Sequence, residues 1–154
     1  MPSHPRQGDR PTSDIETVKP QSTSSLDARE LCAIFVGGIA GSLLRAWLAR
    51  RFATGDGDWP WAIFAINVSG SFVLAGVATH LQGRSLRSTV LGPLLGVGFC
   101  GAYTTFSTMQ LELVQMIDRN RYALAGSYAL GSVLAGLLAI WAGTLLVRRT
   151  QMAL

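Results

Sequence analysis

Asn67 and a run of hydroxyl residues, Thr104, Thr105, Ser107 and Thr108, are the groups whose types and spacing could do chemistry, because all of them lie inside long apolar stretches. Asparagine offers two N–H donors and one acceptor. Ser71 follows Asn67 by one turn, and Phe64 falls on nearly the same helix face. The threonines share their segment, LLGVGFCGAYTTFSTMQLE, with Gly98 and Gly101. Glycines beside β-branched hydroxyl residues make a poor helix interior. A break there frees backbone carbonyls and amides at membrane depth, which is permitted where they line a cavity or bind an ion. The same residues also have a plain packing use. Serine and threonine back-bond to their own helix carbonyls, and an asparagine can tie two helices together. For the cluster beside two glycines a functional break is the better reading; for Asn67 both uses stay open. Arg45, near the end of the first apolar stretch, is either a snorkelling anchor or part of a positive vestibule that draws anions in. Glu112, past the threonines, reads as a buried polar partner.

Enzymatic chemistry finds no support. The chain carries no P-loop, HExxH or GxSxG pattern and no pair of acids at catalytic spacing. His4 and His80 are far apart, and Cys32 and Cys100 sit in apolar runs without CxxC spacing, which reads as two buried thiols.

The elements that must position these groups are membrane helices. Only 14% of the 154 residues are charged, against about 25% in soluble domains, and mean hydropathy is +0.32. The charges crowd into the first thirty residues and the gaps between apolar runs, so no soluble surface can be built from them. Residues 1–28, rich in Pro, Ser, Thr and charge, read as a disordered tail. The first apolar stretch comes too late for a cleaved signal peptide. Residues 29–150 then form one domain with four apolar segments: Leu31–Leu48, Trp59–Leu81, Val90–Met116 and Tyr122–Val147. Each is near the ~20 residues a helix needs to cross the hydrocarbon core. The runs are too long and lack the alternation of strands, and the last has no polar face for a soluble bundle. The expectation is therefore an all-α integral membrane protein with four transmembrane helices, the third broken near its middle.

Two GxxxG pairs, Gly37/Gly41 and Gly92/Gly96, let helix backbones approach closely in lipid. So many small residues on four helices reserve some faces for a second subunit. Positive charge is almost balanced across the membrane. Lys19, Arg29, Arg84, Arg87, Arg148 and Arg149 stand on one side, and Arg50, Arg51, Arg119 and Arg121 on the other. The positive-inside rule needs a clearer bias, so such a chain can insert both ways.

Three stretches carry a family resemblance: GGIAGSLLR (Gly37 to Arg45), NVSGSFVLAG (Asn67 to Gly76) and GFCGAYTTFST (Gly98 to Thr108). In order, spacing and placement they resemble the motifs of the Fluc/CrcB fluoride channels, over about Leu31 to Arg149. The resemblance implies a dual-topology, antiparallel dimer in the plasma membrane, with two fluoride pores and a structural sodium ion at the two-fold axis. By position, Asn67 would donate to fluoride and the ring edge of Phe106 would face it. Thr105, Ser107 and Thr108 would complete that stretch of the pore, and Tyr128 and Ser132 would begin a line of hydroxyls on the fourth helix. Arg45 would stand at the vestibule, and the backbone carbonyls of Gly101 and Thr104 would hold the sodium.

The chain departs from the pattern where a second phenylalanine is usual and Met109 stands instead. Gly136 and Ile140 interrupt the hydroxyl line further along. The partner is therefore either a second copy or a divergent paralogue that supplies what one pore lacks. A small multidrug exporter would carry a glutamate in its first helix, and Leu31–Leu48 has none. A packing-only scaffold leaves Asn67 and the threonines unexplained.

Overall fold

The structure, a computed structural model, describes residues 27–55, 58–82 and 88–152. Apart from Asp27 and Ala28, the expected tail lies outside these residues, as do Lys19, Arg84 and Arg87 of the charge balance. Among the described residues every regular element is a helix: α1 (Ala28–Arg51), α2 (Trp61–Leu81), α3 (Ser88–Leu91), a π-helical segment (Gly92–Cys100), α4 (Gly101–Tyr103), α5 (Phe106–Asp118) and α6 (Tyr122–Met152).

The apolar runs locate the elements, and the flanking polar residues move their ends. α1 starts three residues before Leu31 because the Asp27 carboxylate accepts from Arg29 N at 3.5 Å. It runs on to Arg50 and Arg51, whose charges favour a helix C-terminus. α2 starts after Pro60, which has no N–H to give a preceding turn. α6 continues past Val147 to Met152, for 31 residues. That is roughly 46 Å at the usual rise, well over the ~30 Å hydrocarbon thickness.

The third apolar run is the irregular one. It breaks at Thr104 (ψ 154) and Thr105 (φ −148, ψ 113), both extended, and α5 restarts at Phe106. Ahead of the break the helix is widened, so that Gly101 N–H reaches back five residues to Gly96 O. Pro93 withholds an N–H near the start of this stretch, and Gly92, Gly96 and Gly98 offer little resistance to the wider path. Propensity anticipated the break but not the π-helical turns.

Glycine sets how closely α1 approaches this widened segment. A Cβ on Gly37 would fall on the Leu94 carbonyl, and one on Gly41 would fall on that of Phe99. From the other side, a Cβ on Gly98 would come 2.6 Å from Ile34 O. The second GxxxG pair is looser. At Gly96 the nearest neighbour, a Leu74 methyl, lies at an ordinary 3.8 Å. The interface therefore uses Gly37, Gly41 and Gly98. Gly37→Ala is expected to destabilise the fold by about 1–3 kcal/mol, the usual cost of overpacking, because its neighbour is backbone and cannot rotate away. A lower melting temperature in detergent, with no such drop for Gly38→Ala, checks this; around Gly38 there is open space.

α2 lies along α6, where Gly143 brings the Phe72 carbonyl to 2.5 Å of a notional Cβ. Ile63, Ile66, Tyr103, Met109, Met116, Ala125 and Tyr128 form the buried cluster between the helices. The outer surface is apolar instead of charged: Phe35, Leu43, Trp141 and Phe106 are all mostly exposed. Cys100 is buried as expected, but Cys32 is exposed, because it lies on the outer face of α1. α1, α2 and α6 are each long and apolar enough to cross a membrane. An apolar exterior around such helices is that of a membrane protein.

Candidate ion-binding site at the helix break

The break is held open by side chains that replace helical hydrogen bonds. Asn67, on α2, clasps one residue through both ends of its amide. Its Oδ1 accepts from Thr105 N at 2.8 Å, and its Nδ2 donates to Thr105 O at 3.1 Å. In an uninterrupted α-helix the Thr105 amide would bond to Gly101 O. Thr105 in turn caps α5, its hydroxyl accepting from Thr108 N at 3.2 Å. In an uninterrupted helix that amide would go to Thr104 O.

The remaining hydroxyls tighten the same knot. Thr105 Oγ1 lies 2.9 Å from Thr108 Oγ1 and 3.4 Å from Ser107 Oγ. Thr104 turns its hydroxyl back to Cys100 O at 2.9 Å, the back-bonded use that threonines often have in membranes. Ser69 and Tyr103 join hydroxyls at 3.1 Å behind the break. Gly70 has no side chain to push away the Thr104 methyl packed against it.

A pocket of ≈ 270 Å³ opens beside the clasp, lined by Asn67, Ser71, Leu74, Thr104, Thr105, Phe106, Met109, Ser132 and Val133. Six of the expected residues thus meet around one space: Asn67, Thr104, Thr105, Phe106, Met109 and Ser132. Phe106 is 72% exposed, so its ring stands at the open side. Met109 is buried and belongs equally to the core. Ser132 Oγ is buried without a hydrogen-bond partner. Gly101 is exposed on the stretch just before the break.

Other expected residues stand elsewhere. Ser107 and Thr108 serve the α5 cap and do not line the pocket. Arg45 is half-buried on α1, away from the lining. Tyr128 is completely buried, and its hydroxyl donates to Glu112 Oε2 at 2.6 Å. The Trp59 ring meets Tyr128 edge-on, with centroids 5.4 Å apart. The residues alone read Glu112 as a buried polar partner; it is half-buried, and the group it partners is Tyr128. The pair closes across the α5–α6 corner at Asn120, whose positive φ of 58 makes that corner. Asparagine's tolerance of this conformation was the available signal.

Glu112 also lines a second, smaller recess with Thr54, Gly55, Asp58, Pro60, Gln115, Met116 and Arg119. Met109, Glu112 and Met116 share one face of α5, so this recess and the pocket at the break lie along the same helical stripe. Among the described residues no cluster of His, Cys, Asp or Glu could hold a metal ion. A cation at the break would have to be held by neutral oxygens.

A family model described as "CrcB-like protein, Camphor Resistance (CrcB)" matches residues 32–144. A protein of Mycolicibacterium paratuberculosis, "Fluoride-specific ion channel FluC 1", is 46% identical over 125 residues, covering 81% of this chain and 95% of that one. The protein of the same description from Mycobacterium tuberculosis is 44% identical over equal shares. "Fluoride-specific ion channel FluC 2" of Moorella thermoacetica is 44% identical over 71% of this chain and 88% of its own. The matched span runs from within α1 to within α6 and contains the clasp, the break and every residue of the pocket, so the chain belongs to the CrcB-like family.

Proposed function

We propose that this chain is a subunit of a fluoride-selective channel of the plasma membrane, through which fluoride leaves the cell passively. The observation that carries this reading is the Asn67–Thr105 clasp, at 2.8 and 3.1 Å, beside a pocket lined by hydroxyls and an aromatic ring. The relatives named above, described as fluoride-specific ion channels, support it. In this reading α1, α2, the broken run from α3 to α5, and α6 make four spans.

The chemistry is that of replacing water around a small, strongly hydrated anion. Asn67 uses one of its two N–H donors on Thr105 O and keeps the other for the ion. Ser132 adds a hydroxyl that has no partner of its own, and the positive ring edge of Phe106 adds a weaker attraction. No full positive charge lines the pocket. Donors that are many and individually weak let the ion leave again.

The subunit pairs with a second, inverted copy or with a divergent paralogue, and the exposed Phe106 side is the face that meets it. Gly101 and Thr104 would supply backbone carbonyls to a structural sodium ion at that face. The residues fit this role: Thr104 has its own hydroxyl turned away, and the amides that would occupy both carbonyls in a helix are engaged by Asn67 and Thr105. A bound cation would raise the potential near the pocket and favour an anion there.

Efflux from liposomes containing only this chain tests the proposal. Fluoride-selective release, with chloride retained, is the expected result for a homodimer. Release only after a paralogue is added would assign the chain to a heterodimer, with Met109 in the weaker pore. No release in either case would refute the channel.

A further inference from the structure

The break removes two specific amides from the helical ladder, and the carbonyls they abandon are those of Gly101 and Thr104. Thr105 N–H goes to Asn67 Oδ1 at 2.8 Å, and Thr108 N–H goes to Thr105 Oγ1 at 3.2 Å. Each diverted amide lies four residues past one of the carbonyls, the spacing of the α-helical bond it no longer makes. Thr105 takes part in both diversions, as donor in one and acceptor in the other. The residue is buried, 5% exposed, and its hydroxyl is fixed by contacts with Thr108 and Ser107.

We infer that Thr105 is the positioning residue of a monovalent-cation site, its hydroxyl keeping the Thr108 amide off the Thr104 carbonyl so that this oxygen can ligate. This rests on the cation reading of the same break given above and adds the residue that controls it. Neutral backbone oxygens are hard ligands without charge, and no carboxylate lines the pocket beside Thr104. That donor set suits an alkali cation better than a divalent one. Thr104 cannot do the same job, because its hydroxyl is spent on Cys100 O. Ser107 touches only the Thr105 hydroxyl, at 3.4 Å, and not the Thr108 amide.

Removing the Thr105 hydroxyl while keeping its shape takes away the acceptor that holds the Thr108 amide, which then competes for Thr104 O against the Asn67 clasp that keeps Thr105 extended. Thr105→Val should therefore lose cation binding, whereas Thr105→Ser, which keeps the oxygen, should retain it. The measurement is the melting temperature of the full chain in detergent, titrated with sodium chloride against N-methylglucamine chloride at matched ionic strength, with potassium as comparator. The wild type should be stabilised by sodium, Thr105→Ser should share its midpoint, and Thr105→Val and Thr105→Ala should need at least tenfold more sodium. A loss of stability without a change in the sodium midpoint would mean a merely structural cap and would overturn the inference. A wild type indifferent to sodium would defeat the cation reading itself, and this inference with it. Where both hydroxyl-free variants fail to assemble, scalar coupling across hydrogen bonds in the wild type decides. Coupling from Thr108 N–H to the Thr104 carbonyl would overturn the proposal, and its absence together with a sodium-dependent shift of the Thr104 carbonyl carbon would uphold it.

Discussion

Asn67→Asp is expected to lower fluoride efflux about a hundredfold or more while leaving the helices assembled. The wild-type amide makes two bonds to one residue, accepting from Thr105 N and donating to Thr105 O. Aspartate keeps the first and loses the second. It sets a carboxylate oxygen against the Thr105 carbonyl and takes away the donor that faces the pocket. A hydrogen bond to a charged group contributes at most about 3 kcal/mol net, close to a hundredfold in a rate, and the repulsion of an anion by a carboxylate adds to it. Asn67→Ser keeps a donor and an acceptor on a shorter side chain and should retain more activity. Efflux from liposomes at equal dimer content is the measurement. Wild-type efflux from Asn67→Asp would show that the asparagine serves the break alone, with no part in passing the ion.

Much of this arrangement was legible in the residues. Length and apolarity locate α1, α2 and α6, because an apolar run in lipid can satisfy its backbone only by forming a helix. The break was legible because Gly98, Gly101 and three threonines oppose a regular helix within a few turns. Sequence left two uses open for Asn67, packing and ion donation. In the structure its amide is engaged with Thr105 on both ends and still keeps one N–H, so both uses fit one side chain. What sequence could not give were contacts between residues distant in the chain. The close approach of Gly98 to Ile34 depends on the π-helical widening, which rotates the segment out of any simple 3.6-residue reading. Met109 shows a related limit. The family resemblance implies a pore-lining place for it in the stead of an aromatic ring, yet it is buried in the central cluster while also bordering the pocket. Its exchange for a larger ring is therefore a packing question as much as an electrostatic one.

Tyr128→Phe is expected to reduce efflux about tenfold, and the reason lies in where the tyrosine stands. It is fully buried one helical turn from Ser132, and its hydroxyl is spent on Glu112 at 2.6 Å. Glu112 faces the recess shared with Asp58 and Arg119, whereas Met109, one turn earlier, faces the pocket at the break. The Tyr128–Glu112 pair thus stands at the recess, about one turn of α5 from the pocket at the break. If the proposed ion route joins the two spaces, it passes the groups this bond holds in place. Phenylalanine fills the same volume and preserves the edge contact with Trp59 at 5.4 Å, so assembly should survive. It leaves a partly buried carboxyl without its donor, a loss of about 1–3 kcal/mol, and frees the Glu112 side chain to turn into the path. Glu112→Gln keeps an acceptor for the tyrosine and should remain closer to wild type than Tyr128→Phe. Measured efflux should therefore fall in the order wild type, Glu112→Gln, Tyr128→Phe, at similar melting temperatures for the first two. Equal efflux from all three would place the ion's route away from the α5–α6 seam and leave the pair a packing contact.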